Sequence, residues 1–220
     1  AVPAFPSRDV GFDRSMIGGY GHDDRVCAYP AVTAILETER PAYTAVTILA
    51  DKEEIGSEGN TGMQSAYLKY FIADIAAAFG EEGRHVLSQS VCLSADVNVA
   101  LDPIFPEVVE ARNCARINGG VVLTKYTGSR GKSDTSDASA ELMGMIRSLM
   151  DGADVVWQIG ELGKVDIGGG GTVAKYIADL DVDTVDLGVP VLSMHAPFEI
   201  VAKADVYMAH KAFSALLNRS

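Results

Sequence analysis

Short runs rich in β-branched residues alternate with helically spaced apolar residues along most of this chain, and that alternation constrains the fold more than any other feature. Thr44–Ala50, His85–Ala95, Val121–Tyr126, Val155–Ile159 and Val185–Met194 read as strands. Helices are expected after Asp24 (Val26, Tyr29, Val32, Ile35, with Pro30 as a kink or restart), from Met63 to a stop at Gly80, over 135–150 and 172–180, and from Val201 to Ala215. Residues 1–21, with Pro3, Pro6, Gly11, Gly18, Gly19 and Gly21, read as an extended arrival segment. The pattern predicts an α/β fold, a three-layer α/β/α sandwich around a mixed, largely parallel sheet, with ligands bound beyond strand ends.

Composition removes several function classes. The 220 residues carry 18 Lys and Arg against 30 Asp and Glu, a net charge of −12, and no basic cluster, so nucleic acid and anionic membrane surfaces are not expected partners. Apolar stretches such as Ala76–Phe79 are far shorter than the ~20 residues that span a bilayer. Three cysteines without C-x-x-C spacing point away from a disulfide framework and toward a reducing, cytoplasmic compartment. The chain starts without a methionine and without a signal-like apolar region, which reads as a processed or truncated chain.

Two glycine loops invite a nucleotide reading. In Gly128–Ser133 the first glycine of G-x-x-x-x-G-K-[ST] falls on Tyr126, and after Gly168–Gly171 the third glycine of G-x-G-x-x-G falls on Val173. A nucleotide-binding α/β domain is therefore the weaker alternative. Strand ends are more informative. Asp23-Asp24 stands where a glycine-rich loop enters a helix, Glu53-Glu54 follows one strand, Asp96 another and His195 a third. Carboxylates gathered at one sheet edge repel each other unless a cation neutralises them. Hard oxygens with one imidazole suit Zn²⁺, Mn²⁺ or Co²⁺ in a hydrolytic site, where one carboxylate can bridge two ions.

The segments Gly19-Tyr20-Gly21-His22-Asp23-Asp24-Arg25, Asp51-Lys52-Glu53-Glu54-Ile55-Gly56-Ser57, Ser94-Ala95-Asp96-Val97 and Ser193-Met194-His195-Ala196-Pro197-Phe198-Glu199 resemble the aspartyl aminopeptidase / aminopeptidase I family of dinuclear zinc exopeptidases. The linking stretches 125–132, 160–166 and 168–172 resemble its bacterial branch. The resemblance implies a zinc aminopeptidase acting on peptide N-termini, with cobalt or manganese as other metals. It places Asp24 as the bridging carboxylate, Glu54 and His195 on one ion, Asp96 on the other, and Glu53 as general base. His22, Lys125, Arg130, Gly170 and Thr172 are expected near the substrate, while His85 and His210 read as ordinary residues. The family's remaining histidine ligand lies in an upstream H-x-D motif ahead of an inserted oligomerisation domain through which the enzymes form homo-oligomers. Neither is in this chain, so residues 1–220 read as the C-terminal part of the catalytic domain, with an upstream fragment as a possible partner. Val99 stands where the acidic-selective branch has a histidine, so an aspartyl preference is not implied. A non-catalytic half that acts only in assembly is the alternative.

Overall fold

The structure, a computed structural model, describes residues 1–130, 133–164 and 166–220. In chain order the elements are β1 (Arg8–Val10), β2 (Met16–Gly19), α1 (His22–Glu37), α2 (Tyr67–Ala78), α3 (Gly83–Ser88), β3 (Val91–Ser94), β4 (Asn98–Val99), β5 (Val121–Thr124), β6 (Gly128–Ser129), α4 (Ala140–Gly152), β7 (Trp157–Ile159), β8 (Gly169–Gly170), α5 (Ala174–Ala178), β9 (Asp183–Gly188), β10 (Pro190–Leu192), β11 (Glu199–Ala202) and α6 (Lys203–Leu217). One sheet has the order β3-β9-β5-β7, with β3·β9 and β5·β7 parallel and β5·β9 antiparallel. A second runs β1-β2-β11-β10-β4, and its only parallel pair among the described residues is β10·β4. A two-stranded ribbon joins β6 to β8.

Period-two alternation divides the helices between two faces. On one face Val121, Leu123, Val185 and Leu187 pack with Ala34 of α1, Ile146 and Met150 of α4, and Phe213 of α6. On the other, Met63, Leu68 of α2, Ile177 of α5 and Val182 form a smaller cluster that takes in Cys92 and Leu87. This is the expected α/β sandwich with mixed sheets. Leu187 is fully buried in β9, so Leu187→Ala is expected to lower stability by about 2–5 kcal/mol in chemical denaturation, the usual cost of such a cavity.

Five elements differ from the sequence reading. Val185–Met194, read as one strand, divides into β9 and β10, which belong to different sheets. Thr44–Ala50 is not a strand: no neighbouring strand pairs with it among the described residues, and Ile48 and Leu49 are 46% and 61% exposed. The run His85–Ala95 divides into α3 and β3. Gly83 permits this, because a Cβ there would lie 2.8 Å from the Cα of Ala73 in α2, so only glycine lets the two helices meet so closely. The arrival segment folds as the β1·β2 hairpin, and β2 pairs with β11. The closing helix is preceded by β11, whose Val201 is a strand residue. Gly131 and Lys132 of the P-loop-like segment lie outside the described residues, as does Val165.

Candidate metal centre

Asp23 and Asp24 follow Gly21, whose φ of 74° turns the chain out of β2. Both aspartates have non-helical backbone angles, so the regular part of α1 starts only after them. Their shared peptide bond is cis. Glu53 and Glu54 sit in a single 3-10 turn between Lys52 (φ 64°) and Gly56 (φ 102°). Asp96 follows β3, and His195 follows β10 with φ 65°. Four sequence-distant segments thus deliver one side-chain cluster each to the same place.

The cluster has an open and a buried part. At the open part His195 Nε2 lies 3.0 Å from Asp23 Oδ2 and 3.0 Å from Glu54 Oε1. The His195 and Glu54 side chains are 61% and 57% exposed, that of Asp23 only 9%. Ligand atoms around a zinc ion with ~2.0–2.2 Å bonds stand about 3.3–3.6 Å apart in a tetrahedron, so this spacing needs little change to take an ion. In the buried part, carboxylate oxygens of Asp23, Asp24 and Asp96 also lie within 4.8 Å of one another. Asp24 Oδ1 is buried without a hydrogen-bond partner. An orphaned carboxylate oxygen facing other carboxylates is the local chemistry that a divalent cation resolves.

Asp24, expected to bridge, belongs to the buried group only, whereas Asp23 belongs to both. Glu54 and His195 come together with Asp23, and Asp96 with Asp23 and Asp24, while Glu53 stands beside both groups without belonging to either. His22 is in neither group. Its Nε2 is buried without a partner, and burial holds its pKa below the usual value.

The predicted substrate residues lie in neighbouring loops. Lys125 Nζ donates to the Asp137 carboxylate and, at 2.6 Å, to the Ala138 carbonyl. The Arg130 amide donates to the Gly168 carbonyl at 3.1 Å, and Gly170 pairs with Gly128 in the ribbon. Thr172 Oγ1 donates to Asp186 Oδ1 at 2.7 Å. Thr172 and Asp186 line a cavity with Asp96, Asn98, Thr124 and Thr127. Asp186, which sequence reasoning missed, is the polar residue between Val185 and Leu187 in β9. His85 lies on α3, and His210 bonds Thr33 and Glu37 across α1 and α6.

Burial, and after it mutual repulsion, raises the proton affinities of the clustered carboxylates. Burial, then Glu54, pushes Asp23 up to about 7. Burial, reinforced by Asp23 and Glu53, pushes Asp24 up to about 8. Burial and Asp24 raise Asp96, and burial and Glu54 raise Glu53. From an ordinary 3.8, a raised carboxyl pKa means that the folded state holds protons the unfolded chain has released. That contribution is fully present below about pH 4 and is lost as pH climbs through 7 to 8. Thermal melts of the metal-free chain are therefore expected to show stability falling from pH 4 to 8. Added zinc is expected to flatten the profile and to release protons on binding.

A family model for the aminopeptidase I zinc metalloproteases (M18) matches residues 1–217. The chain belongs to that family. It is 49% identical over 221 residues to a probable M18 family aminopeptidase 1 of Clostridium acetobutylicum, covering 99% of this chain and 48% of that protein. The crystal structure of an M18 aminopeptidase from Thermotoga maritima superposes with a TM-score of 0.95 at 42% identity, over all of this chain and 50% of the other. A S. cerevisiae mApe1 dodecamer shares the fold, with a TM-score of 0.78 at 23% identity over 97% of this chain and 48% of that one. The chain spans about half the length of the relatives it matches. Among its described residues no helix is long and apolar enough to cross a membrane.

Proposed function

We propose that this family member carries the metal-binding face of a cytoplasmic two-zinc aminopeptidase that removes N-terminal residues from peptides. The observation that carries the reading is the pair of donor groups sharing one carboxylate, Asp23. In this reading His195 and Glu54 hold one ion with Asp23, and Asp96 and Asp24 stand with Asp23 at the second. The donor set fits zinc, with an imidazole and carboxylates at the open position and carboxylates alone at the buried one. The buried position takes its missing histidine from a segment outside this chain. Bound zinc would supply Lewis acidity toward the scissile carbonyl and acidify water.

The protein's own residues do the rest. Glu53, adjacent to Glu54 but in neither donor group, accepts a proton from the attacking water and returns it to the departing amine. Lys125 is already engaged by Asp137 and Ala138, which supports a first residue that need not be acidic. The homo-oligomer is proposed on the likeness to the dodecamer, and docking of an upstream half on the chain's spanning about half the length of its relatives. The alternative of an assembly-only half rests on the all-carboxylate second group.

The test is hydrolysis of aminoacyl chromogenic substrates, with and without zinc, by the chain alone and with the upstream segment supplied. The expected result is very low turnover alone, metal-dependent turnover when completed, and no cleavage of N-blocked substrates. Equal cleavage of blocked substrates would contradict an aminopeptidase. Zinc binding without turnover in the completed protein would favour the assembly-only reading.

A further inference from the structure

Glu199, the first residue of β11, is 2% exposed and fully committed. Its Oε1 accepts the His195 backbone N–H at 2.8 Å, and its Oε2 accepts the Asp23 backbone N–H at 3.1 Å. These two amides belong to loops 172 residues apart in sequence (195 − 23). Both loops are irregular: Ser193 and His195 have φ of 59° and 65°, and Gly21 and the non-helical Asp23 and Asp24 stand at the other. Among the described residues no backbone hydrogen bond joins the His195 loop to the Asp23 loop directly. The base of the carboxylate is itself fixed, because Glu199 pairs with Gly19 in the register of β11 against β2.

We infer that Glu199 is a positioning residue, an acceptor clamp that sets the separation of the His195 and Asp23 donor atoms before an ion arrives. The inference rests on the metal reading above. The carboxylate offers one oxygen to each amide on a single rigid group. Glutamine has nearly the same shape but turns an NH₂ toward one of the two N–H groups, so one backbone donor loses its partner. Outer-shell changes of this kind typically cost about 10–100-fold in metal affinity.

Asp205 supplies a matched control. It is 1% exposed and likewise accepts two backbone N–H groups, from Asn118 at 2.7 Å and Gly120 at 2.8 Å, at a turn ahead of β5 and in neither donor group. The experiment measures zinc affinity by chelator competition, the Co²⁺ absorption spectrum, and thermal midpoints of the metal-free forms, for the unaltered chain, Glu199→Gln, Glu199→Asp and Asp205→Asn. Glu199→Gln is expected to weaken zinc about 10–100-fold and to change the cobalt spectrum, with Glu199→Asp in between. Asp205→Asn is expected to lower the midpoint and leave zinc affinity unchanged. Unchanged zinc affinity in Glu199→Gln, with only a lowered midpoint, would overturn the inference. So would failure of both Glu199 variants to fold with and without zinc, since the residue would then be a folding determinant. Folding of those variants only when zinc is added would support it. Absence of zinc binding by the unaltered chain would overturn the metal reading itself, whereas normal binding by Glu199→Gln would overturn only the clamp.

Discussion

Glu53→Gln is expected to lower peptide hydrolysis by about 10²–10⁴-fold in the completed protein while leaving bound zinc unchanged. Glutamine keeps the size and the 3-10 turn but cannot accept the proton of the attacking water. Glu53 belongs to neither donor group, so the ions should stay. Steady-state kinetics beside metal analysis of the same samples checks this. Parallel loss of zinc and activity would make Glu53 a ligand and exchange its role with that of Glu54.

Asp23→Asn is expected to have the widest effect on metal binding, because Asp23 alone belongs to both donor groups. An amide keeps one oxygen and loses the charge, so both positions should weaken, each by more than the ~10–100-fold that outer-shell changes cost. His195→Ala should empty only the open position and spare the buried one. Native mass spectrometry during zinc titration separates these outcomes. Loss at both positions in Asp24→Asn, with Asp23→Asn affecting one, would restore Asp24 as the bridge.

The choice between Asp23 and Asp24 was not legible in the sequence for a geometric reason. Adjacent side chains leave the backbone in different directions, and which one reaches both donor groups depends on the turn at Gly21 and on the φ and ψ of two non-helical residues. Residue type carries no trace of that. Glu54, Asp96 and His195 could be picked out as candidates because each follows a punctuated segment end within a family-like motif. Glu199 stands inside the quoted His195–Glu199 stretch, yet its role depends on an amide 176 residues away, which no local pattern reveals.

Fold errors have the same origin. Thr44–Ala50 has the composition of a buried strand, but composition reports a wish for burial and not the presence of a ladder partner. His85–Ala95 reads as one strand from composition, while Gly83 lets the first half close as a helix on α2. Val201 and Ala204 match helical spacing, which hid β11 inside the approach to α6. By contrast Val121–Thr124 was legible, because Val121, Val122 and Leu123 form a continuous apolar run of the kind a strand covered on both faces requires.

Zinc-edge anomalous diffraction from crystals of the 220-residue chain grown with zinc would locate the ions against these side chains. The account predicts a peak within ~2.0–2.2 Å of His195 Nε2, an Asp23 oxygen and a Glu54 oxygen, with any second peak sharing Asp23 and nearer Asp96. A zinc ion held through Asp24 without Asp23, or bound away from His195 altogether, would contradict it.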